Sequence, residues 1–170
     1  TLLCHGNQIP TLDVTQNLLL ETLECYNNQI TILDVTQNSL LKHLECGSNQ
    51  LPTLNVTQNP VLEYLNCGSN QLTQLDLTNN SAIETVRCNN NDLTSLDLRN
   101  GNNTSITELR AHQNDSLFCV SVDNSTYSDT TWLNPLNTNF NFDTIVSFSN
   151  NCNPTSGNNN NIAIDCSLLT

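Results

Sequence analysis

The sequence predicts a solenoid, a stack of short coils that share one continuous hydrophobic core. Its clearest sign is a step of 21 residues, at which Cys4, Cys25, Cys46, Cys67 and Cys88 recur. A coil of this length is too short for a strand, a crossover helix and two turns. We therefore expect short strands, an extended return side and little helix. Each coil can bury its apolar side only against its neighbours, so stability should be cooperative along the array.

The apolar residues keep the same step and define the core of each coil. The position five residues after the cysteine is always apolar: Ile9, Ile30, Leu51, Leu72 and Leu93. The positions eight and ten residues after it are apolar as well, beginning with Leu12 and Val14. A sixth coil follows an insertion near Gly101 and places Ala111 at the cysteine position. One further insertion brings Leu117, Val120 and Val122 into the core positions of the last coil.

Asparagine is the most unusual part of the composition, with 31 of 170 residues. A polar, low-hydrophobicity chain can be disordered, but aperiodic disorder would not produce columns. One column lies three residues after each cysteine, and after Ala111 in the sixth coil: Asn7, Asn28, Asn49, Asn70, Asn91 and Asn114. A second contains Asn17, Asn38, Asn59 and Asn80. Both fit inward-facing turns, where a neutral amide can satisfy backbone groups of its own coil and the next one.

The charge balance excludes two classes of partner. Four Lys and Arg residues stand against 16 Asp and Glu residues, for a formal net charge of −12. Such a chain lacks the cations that drive nucleic-acid binding, and an anionic membrane surface would repel it. The sequence has no apolar stretch of about 18 residues, so membrane insertion is not predicted. The start at Thr1 without Met suggests a processed or truncated chain. Because no cap precedes Leu2, we expect either that upstream coils were removed or that the first coil is exposed and invites self-association.

The repeat unit reads L-x-x-L-x-C-x-x-N-x-L-x-x-L-D-V-T-x-N-x-x, which resembles the leucine-rich repeat family over residues 1–124. It is similar in particular to the short repeats of bacterial surface and secreted proteins, such as those of marine Bacteroidetes and, less closely, the internalins. The resemblance implies a right-handed, curved solenoid with short parallel strands on its concave face and extended or 3₁₀ segments on its return side. Residues 125–154 would form a C-terminal cap and residues 155–170 an Asn-rich tail.

The same resemblance bears on the cysteines outside the 21-residue step. In the bacterial proteins, the last coil is followed by a segment with a Trp and a second Cys, which implies a disulfide between Cys119 and Cys152. Such a bond implies an oxidising compartment, so we expect a secreted or cell-surface protein. The cysteines of the repeat fit buried free thiols that act as small hydrophobes. The partner of Cys166 stays open.

The cap itself has a sequence pattern of its own, because five aromatic residues follow the repeats. They are Tyr127, Trp132, Phe140, Phe142 and Phe148. Large aromatic side chains are suited to covering the open end of a core. We expect a short helical or 3₁₀ turn over Ser125 to Asn134 and a strand over Thr144 to Ser149, and residues 162–169 could add a last strand.

The exposed positions of the concave strands predict where the protein binds a partner. Six of these residues are candidates for contact with a protein or glycan ligand: Tyr26, His43, Tyr64, Arg87, Arg110 and His112. Arg87, Arg99 and Arg110 form a short basic segment in an otherwise acidic chain. We expect a non-enzymatic module for protein–protein recognition or adhesion. A carbohydrate-binding module, with stacking on tyrosine, and a structural spacer of a larger surface protein are the alternatives, and an ordinary solvated sheet face is the simplest interpretation.

Catalysis and metal binding have weaker support. The three histidines are not paired with a nucleophile at any recurring spacing, so no enzyme is predicted. An outward column, Asp13, Asp34, Asn55, Asp76 and Asp97, runs beside a column of threonines. Hydrogen bonds to hydroxyls and turn amides explain this column most simply. Calcium at Asp34, Asp76 and Asp97 is the alternative, and no other cofactor is expected.

Overall fold

The computed structural model describes residues 1–134, 136–144 and 146–152, and these residues form a stack of coils with two parallel sheets. Strands β1 to β11 cover, in chain order, Leu2–Leu3, Thr22–Glu24, His43–Glu45, Tyr64–Asn66, Gln74–Asp76, Thr85–Arg87, Ser95–Asp97, Glu108–Arg110, Cys119–Ser121, Phe140–Asn141 and Ser147–Ser149. The main sheet has the order β1-β2-β3-β4-β6-β8-β10, and the return sheet has the order β11-β9-β7-β5. The predicted solenoid is confirmed.

The main-sheet strands are short because only one residue of each can face the core. Side chains alternate between the two faces of a strand, and the central residue of each strand from β2 to β8 points inward. These central residues are fully buried: Leu23, Leu44, Leu65, Val86 and Leu109. Neighbouring coils pair in register, Leu23 with Leu44 and Leu44 with Leu65. The residues on either side of them form the outer face of the sheet.

The cysteines directly after these strands belong to the core. Cys25, Cys46, Cys67 and Cys88 are fully buried and unbonded, and Ala111 occupies the same place in the sixth coil. Burial raises the pKa of the Cys25 and Cys88 thiols to about 12. Thiols of this kind stay protonated and behave as small apolar side chains. The structure therefore agrees with the packing role predicted for them.

The return side is extended, as predicted, but it becomes a hydrogen-bonded sheet only from the fourth coil onward. In the described residues, β5 is the first strand of this sheet, and it pairs with β7. The residue at this place in the third coil is Pro52, which has no amide hydrogen to donate to the preceding coil. In the fifth coil, Thr94 N donates to Thr73 O of the fourth at 2.9 Å. In the described residues, Thr31 and Thr73 form no such bond with the coil before them, so Pro52 accounts for only part of the late start.

The segment after the coils packs on the core and also extends both sheets. Helix α1 (Ser125–Thr131) lies within the predicted helical turn, and the Asn124 side chain caps it by accepting from Tyr127 N at 3.1 Å. Trp132 is 1% exposed and stacks on Phe140, with ring centroids 5.5 Å apart. Strand β10 then pairs with β8 in the main sheet, and β11, inside the predicted strand 144–149, pairs with β9 in the return sheet. The last pair of strands thus continues the stack by one step.

A disulfide links β9 to the chain that follows β11. It joins Cys119 and Cys152, the pair implied by the family resemblance, with Cα atoms 5.8 Å apart. The predicted Asn-rich tail, the possible strand over 162–169 and Cys166 lie outside the described residues. Within the described part of the chain, no helix has the length and apolar character needed to cross a bilayer.

Candidate binding site on the main sheet

The turn after each main-sheet strand is held by the first asparagine column. Asn49 shows the pattern: its Nδ2 donates to Cys46 O in its own coil and to Cys25 O in the preceding coil, both at 3.0 Å. Its Oδ1 accepts from Ile30 N at 2.9 Å, again in the preceding coil. The prediction of amides that join neighbouring coils is right, but each amide bonds to the preceding coil and not to the next one. This column supports the outer face of the main sheet as a firm platform.

The second asparagine column holds the opposite turns. Asn38, Asn59 and Asn80 are fully buried, and each donates to two carbonyls of the preceding coil. Their Oδ1 atoms have no hydrogen-bond partner in the part of the chain that the structure describes. Two good bonds from Nδ2 therefore offset one unpaired acceptor in each of three successive coils.

The chain bends away from the main sheet through one residue with positive φ in each coil. These residues stand two positions after the cysteine, with φ between 54° and 67°: Gly6, Asn27, Ser48, Ser69, Asn90 and Gln113. Left-handed backbone is costly for residues other than glycine, although asparagine tolerates it better than most. Sequence reasoning missed this turn, for which glycine at position 6 and asparagine at 27 and 90 were the available signals.

A groove of 420 Å³ runs across the outer ends of the main-sheet strands, from the second coil to the sixth. Tyr26 lines one end, and Arg110 and His112 line the other. The floor between them is low because Gly47 and Gly68 carry no side chain. A Cβ on Gly47 would lie 3.0 Å from Gly68 O, a tight contact that the neighbouring coil would have to relieve by a small shift. The same glycines leave an opening two coils wide in the column of side chains that follows the cysteines.

An ion cluster forms the wall at the basic end of this groove. Glu108 accepts from Arg87 Nε at 2.8 Å and from Arg87 Nη2 at 3.1 Å, and Arg110 Nε lies 2.6 Å from the same carboxylate. Hydrogen bonding to Arg87 is the main reason that the pKa of Glu108 is lowered. Two guanidinium groups share one carboxylate, so the cluster keeps one uncompensated positive charge. Sequence reasoning did not include Glu108 among the site residues.

Two histidine–tyrosine stacks cover the acidic half of the face. His5 stacks on Tyr26 with ring centroids 4.4 Å apart, and His43 stacks on Tyr64 at 4.3 Å. The Arg87 guanidinium lies over the Tyr64 ring, 5.6 Å from its centroid. Burial, and then the charge of Glu45, raise the pKa of Tyr64. Tyr64 is therefore held between two neighbours, whereas Tyr26 has a stacking partner from the preceding coil alone.

The structure places the six predicted contact residues in two groups. Four of them line the groove, namely Tyr26, Arg87, Arg110 and His112, while His43 and Tyr64 lie beside it on the same face. The predicted basic segment is wrong in one member. Arg99 lies on the return side, where it bonds to Asp97 and donates to Asn150 O at 3.3 Å. Arg99 is separated from the other two because the chain reaches the opposite side of the coil within ten residues.

The outward aspartates on the return side form local turns. Asp34 Oδ1 accepts from Thr36 N at 2.9 Å and from Thr36 Oγ1 at 2.7 Å, and Asp13, Asn55 and Asp76 repeat this arrangement. The hydroxyl bond and then the amide bond lower the pKa of Asp34. The simpler interpretation of the column therefore accounts for its geometry. Across residues 1–134, 136–144 and 146–152, no group of three or more His, Cys, Asp and Glu side chains is placed to hold a metal ion.

Comparison with known proteins supports the fold. No family model and no curated protein matches the chain. Among solved structures, the functional domain of InlJ from Listeria monocytogenes, a domain that includes a cysteine ladder, is similar with a TM-score of 0.59 and 31% identity over 87% of this chain. A leucine-rich repeat protein of Leptospira interrogans has a TM-score of 0.46 and 20% identity, covering 82% of this chain and 41% of its own. The present chain spans 34% of the InlJ structure.

These observations define a class first. A stack of parallel coils with a varied, exposed sheet face over a regularly repeated apolar core is a repeat solenoid, and such solenoids expose extended binding surfaces. The repeat unit, its solenoid structure and the likeness to InlJ then identify the family: the chain is a leucine-rich repeat protein. This fold is consistent with a general role as a protein-interaction module.

Proposed function

We propose that this protein is a non-enzymatic module that binds another protein through the outer face of the main sheet, in recognition or adhesion. The groove between Tyr26 and Arg110 carries this proposal, because it gathers aromatic, acidic and basic groups on one rigid surface. Aromatic residues and arginine are enriched among residues that dominate protein interfaces. The asparagine column beneath the groove limits the ordering cost of binding.

The distribution of charge supports a specific partner over a solvated surface. The chain has only four Lys and Arg residues, and two of them, Arg87 and Arg110, line this groove. Glu45 lines the opposite half. A surface with both signs of charge in fixed positions favours a partner with the complementary arrangement and disfavours others.

A carbohydrate ligand is the second candidate, and the accessible ring of Tyr26 favours it. The Tyr64 ring is less suitable for stacking on a sugar, because His43 and Arg87 contact it. One open aromatic face gives a sugar ring a single platform, so we consider a protein partner the better fit.

The proposed location is the extracellular space or the surface of a bacterial cell. The Cys119–Cys152 disulfide supports it, because such bonds persist in oxidising compartments. The likeness to the InlJ domain of Listeria monocytogenes supports a bacterial source.

A binding screen with matched variants tests the proposal. The immobilised wild type, a groove variant (Tyr26→Ala with Arg110→Ala) and a return-sheet control (Gln74→Ala with Ser95→Ala) would each be exposed to an extracellular protein fraction and to a glycan array. We expect at least one protein to bind the wild type and the control with similar affinity, and the groove variant about tenfold more weakly. Equal binding by all three would contradict the proposal, and binding confined to glycans would favour the second candidate.

A further inference from the structure

The open face of Tyr26 is the first element of a more specific binding site. The Tyr26 ring lies parallel to the His5 ring, with an angle of 4° between the planes. Because His5 belongs to the preceding coil, the opposite face of the tyrosine points toward the next coil. The corresponding residue there is Gly47, which has no side chain to cover the ring. Tyr26 also lines the groove, so this face is open to a ligand.

Tyr64 shows what kind of group such a face can hold. Its ring has a histidine from the preceding coil on one side and a guanidinium from the following coil, that of Arg87, on the other. At Tyr64 the ring therefore lies between a histidine and a cation, whereas at Tyr26 the histidine is present and the cation is missing. A cation over a tyrosine face is attracted by the ring quadrupole. The position beside Tyr26 therefore has the right geometry for a cationic side chain supplied from outside.

Glu45 adds a negative charge to the same position. It lines the groove one coil beyond Tyr26, and its carboxylate contacts His43 Nε2 at 3.2 Å. In the described residues, no lysine or arginine lies within ion-pair distance of Glu45. After hydrogen bonding for Arg87 and burial for Tyr64, the Glu45 charge further raises the pKa of both groups. A lysine or arginine of a partner could therefore contact the Tyr26 ring and the Glu45 carboxylate together.

The other end of the groove has the opposite charge. Arg110 uses its Nε toward Glu108, and its side chain remains 44% exposed. Its two terminal nitrogens have no hydrogen-bond partner among the described residues and can bind a carboxylate in a bidentate manner. His112 lines the groove at the same end. This end therefore fits an acidic side chain or a terminal carboxylate.

The distance between the two ends sets the spacing of the ligand. The Gly47 coil and the Arg110 coil are three strand steps apart in the main sheet, or about 14 Å. An extended chain advances about 3.3 Å per residue and repeats the same face at even separations, so about four residues span this distance. Building on the proposed function, we propose that the groove binds an extended peptide segment of the partner, with a lysine or arginine on Tyr26 and Glu45 and an acidic residue four positions away on Arg110.

A displayed library of random 12-residue peptides tests this proposal. The library would be selected at low salt on the folded wild type, and the enriched peptides would be measured against Tyr26→Leu, Glu45→Gln, Arg110→Met and the control Gln74→Ala. We expect enrichment of a basic and an acidic residue four positions apart in the peptide, with three residues between them. Each groove variant should lose about tenfold in affinity, and the control should lose none. Circular dichroism and thermal melting would show that the variants remain folded.

The outcomes separate this proposal from the broader one. Peptides that require Arg110 but show no basic residue at the expected spacing would overturn the inference and leave the main-sheet face as the binding site. Peptides that bind every groove variant as well as the wild type would overturn both proposals. A library without enrichment over an unrelated control protein would overturn the inference as well.

Discussion

Replacing Asn49 with aspartate should destabilise the solenoid strongly, although the two side chains have the same shape. Aspartate can still accept from Ile30 N, but an oxygen replaces the amide nitrogen that donates to Cys46 O and Cys25 O at 3.0 Å. Two carbonyls lose their donor, at about 1–3 kcal/mol each, and a carboxylate oxygen then faces them. We expect a loss of about 4 kcal/mol at pH 7, measured by urea unfolding with Trp132 fluorescence.

The pH dependence of this loss provides a second test. The carbonyls disfavour the charged form, so the pKa of the new carboxyl should lie above its unfolded value of about 3.9. The variant should be least impaired below that value, where the protonated oxygen can donate, and the deficit should grow as the pH rises through the folded pKa. Asn27→Asp is the control, because Asn27 is exposed and its replacement by aspartate adds the same charge. A difference of less than about 1 kcal/mol between the two variants at pH 7, or no change with pH, would refute this explanation.

Three further predictions concern the ion cluster, the thiols and the aspartate column. Glu108→Gln should lower stability at pH 7 by about 1 kcal/mol, because Glu108 pairs with Arg87. Since the folded pKa of Glu108 is lowered, the difference from wild type should begin to shrink below the unfolded value of about 4.3 and vanish once the pH falls through the folded pKa; urea titrations at several pH values would check this. In native protein at pH 8, iodoacetamide should modify the partly exposed Cys4 well before Cys67, because burial raises the pKa of the Cys67 thiol well above its usual value. Peptide mapping would measure both rates, and a faster reaction at Cys67 would contradict the prediction. The melting temperature should be the same with EDTA and with added calcium, because local hydrogen bonds already occupy the outward aspartates, and a calcium-dependent rise of several degrees would favour a bound ion.

The repeat itself was predictable because each coil solves the same packing problem. The central leucines of the strands, the buried cysteines and the inward asparagines recur every 21 residues, and a short coil has few ways to bury them. The late start of the return sheet was harder to predict. Pro52 removes one amide donor without interrupting the apolar pattern, but in the described residues Thr31 and Thr73 also form no bond with the preceding coil, so the residue type at this position does not locate the start.

The candidate residues were predictable as exposed positions, but their grouping was not. Arg99 has the same charge as Arg87 and Arg110 and lies between them in the chain, yet it faces the return side. Glu108 was not among the predicted contact residues, although it is the carboxylate that two arginines share. Contacts of this kind join side chains of neighbouring coils, such as Arg87 and Glu108, which are 21 residues apart in the sequence. They depend on the distance between the strands and on the side-chain rotamers, which the order of residues does not specify.

The sequence by itself determined the class of fold, the core and which residues are exposed on the main sheet, because periodic burial repeats visibly in the order of residues. Tertiary structure alone decided which side chains of that face are already satisfied by one another. Stacking between coils covers the Tyr64 ring with His43 and Arg87, while Gly47 leaves the Tyr26 ring open. Two tyrosines that look equivalent in the sequence therefore differ in what they can bind, since the neighbouring coil sets the free surface of each.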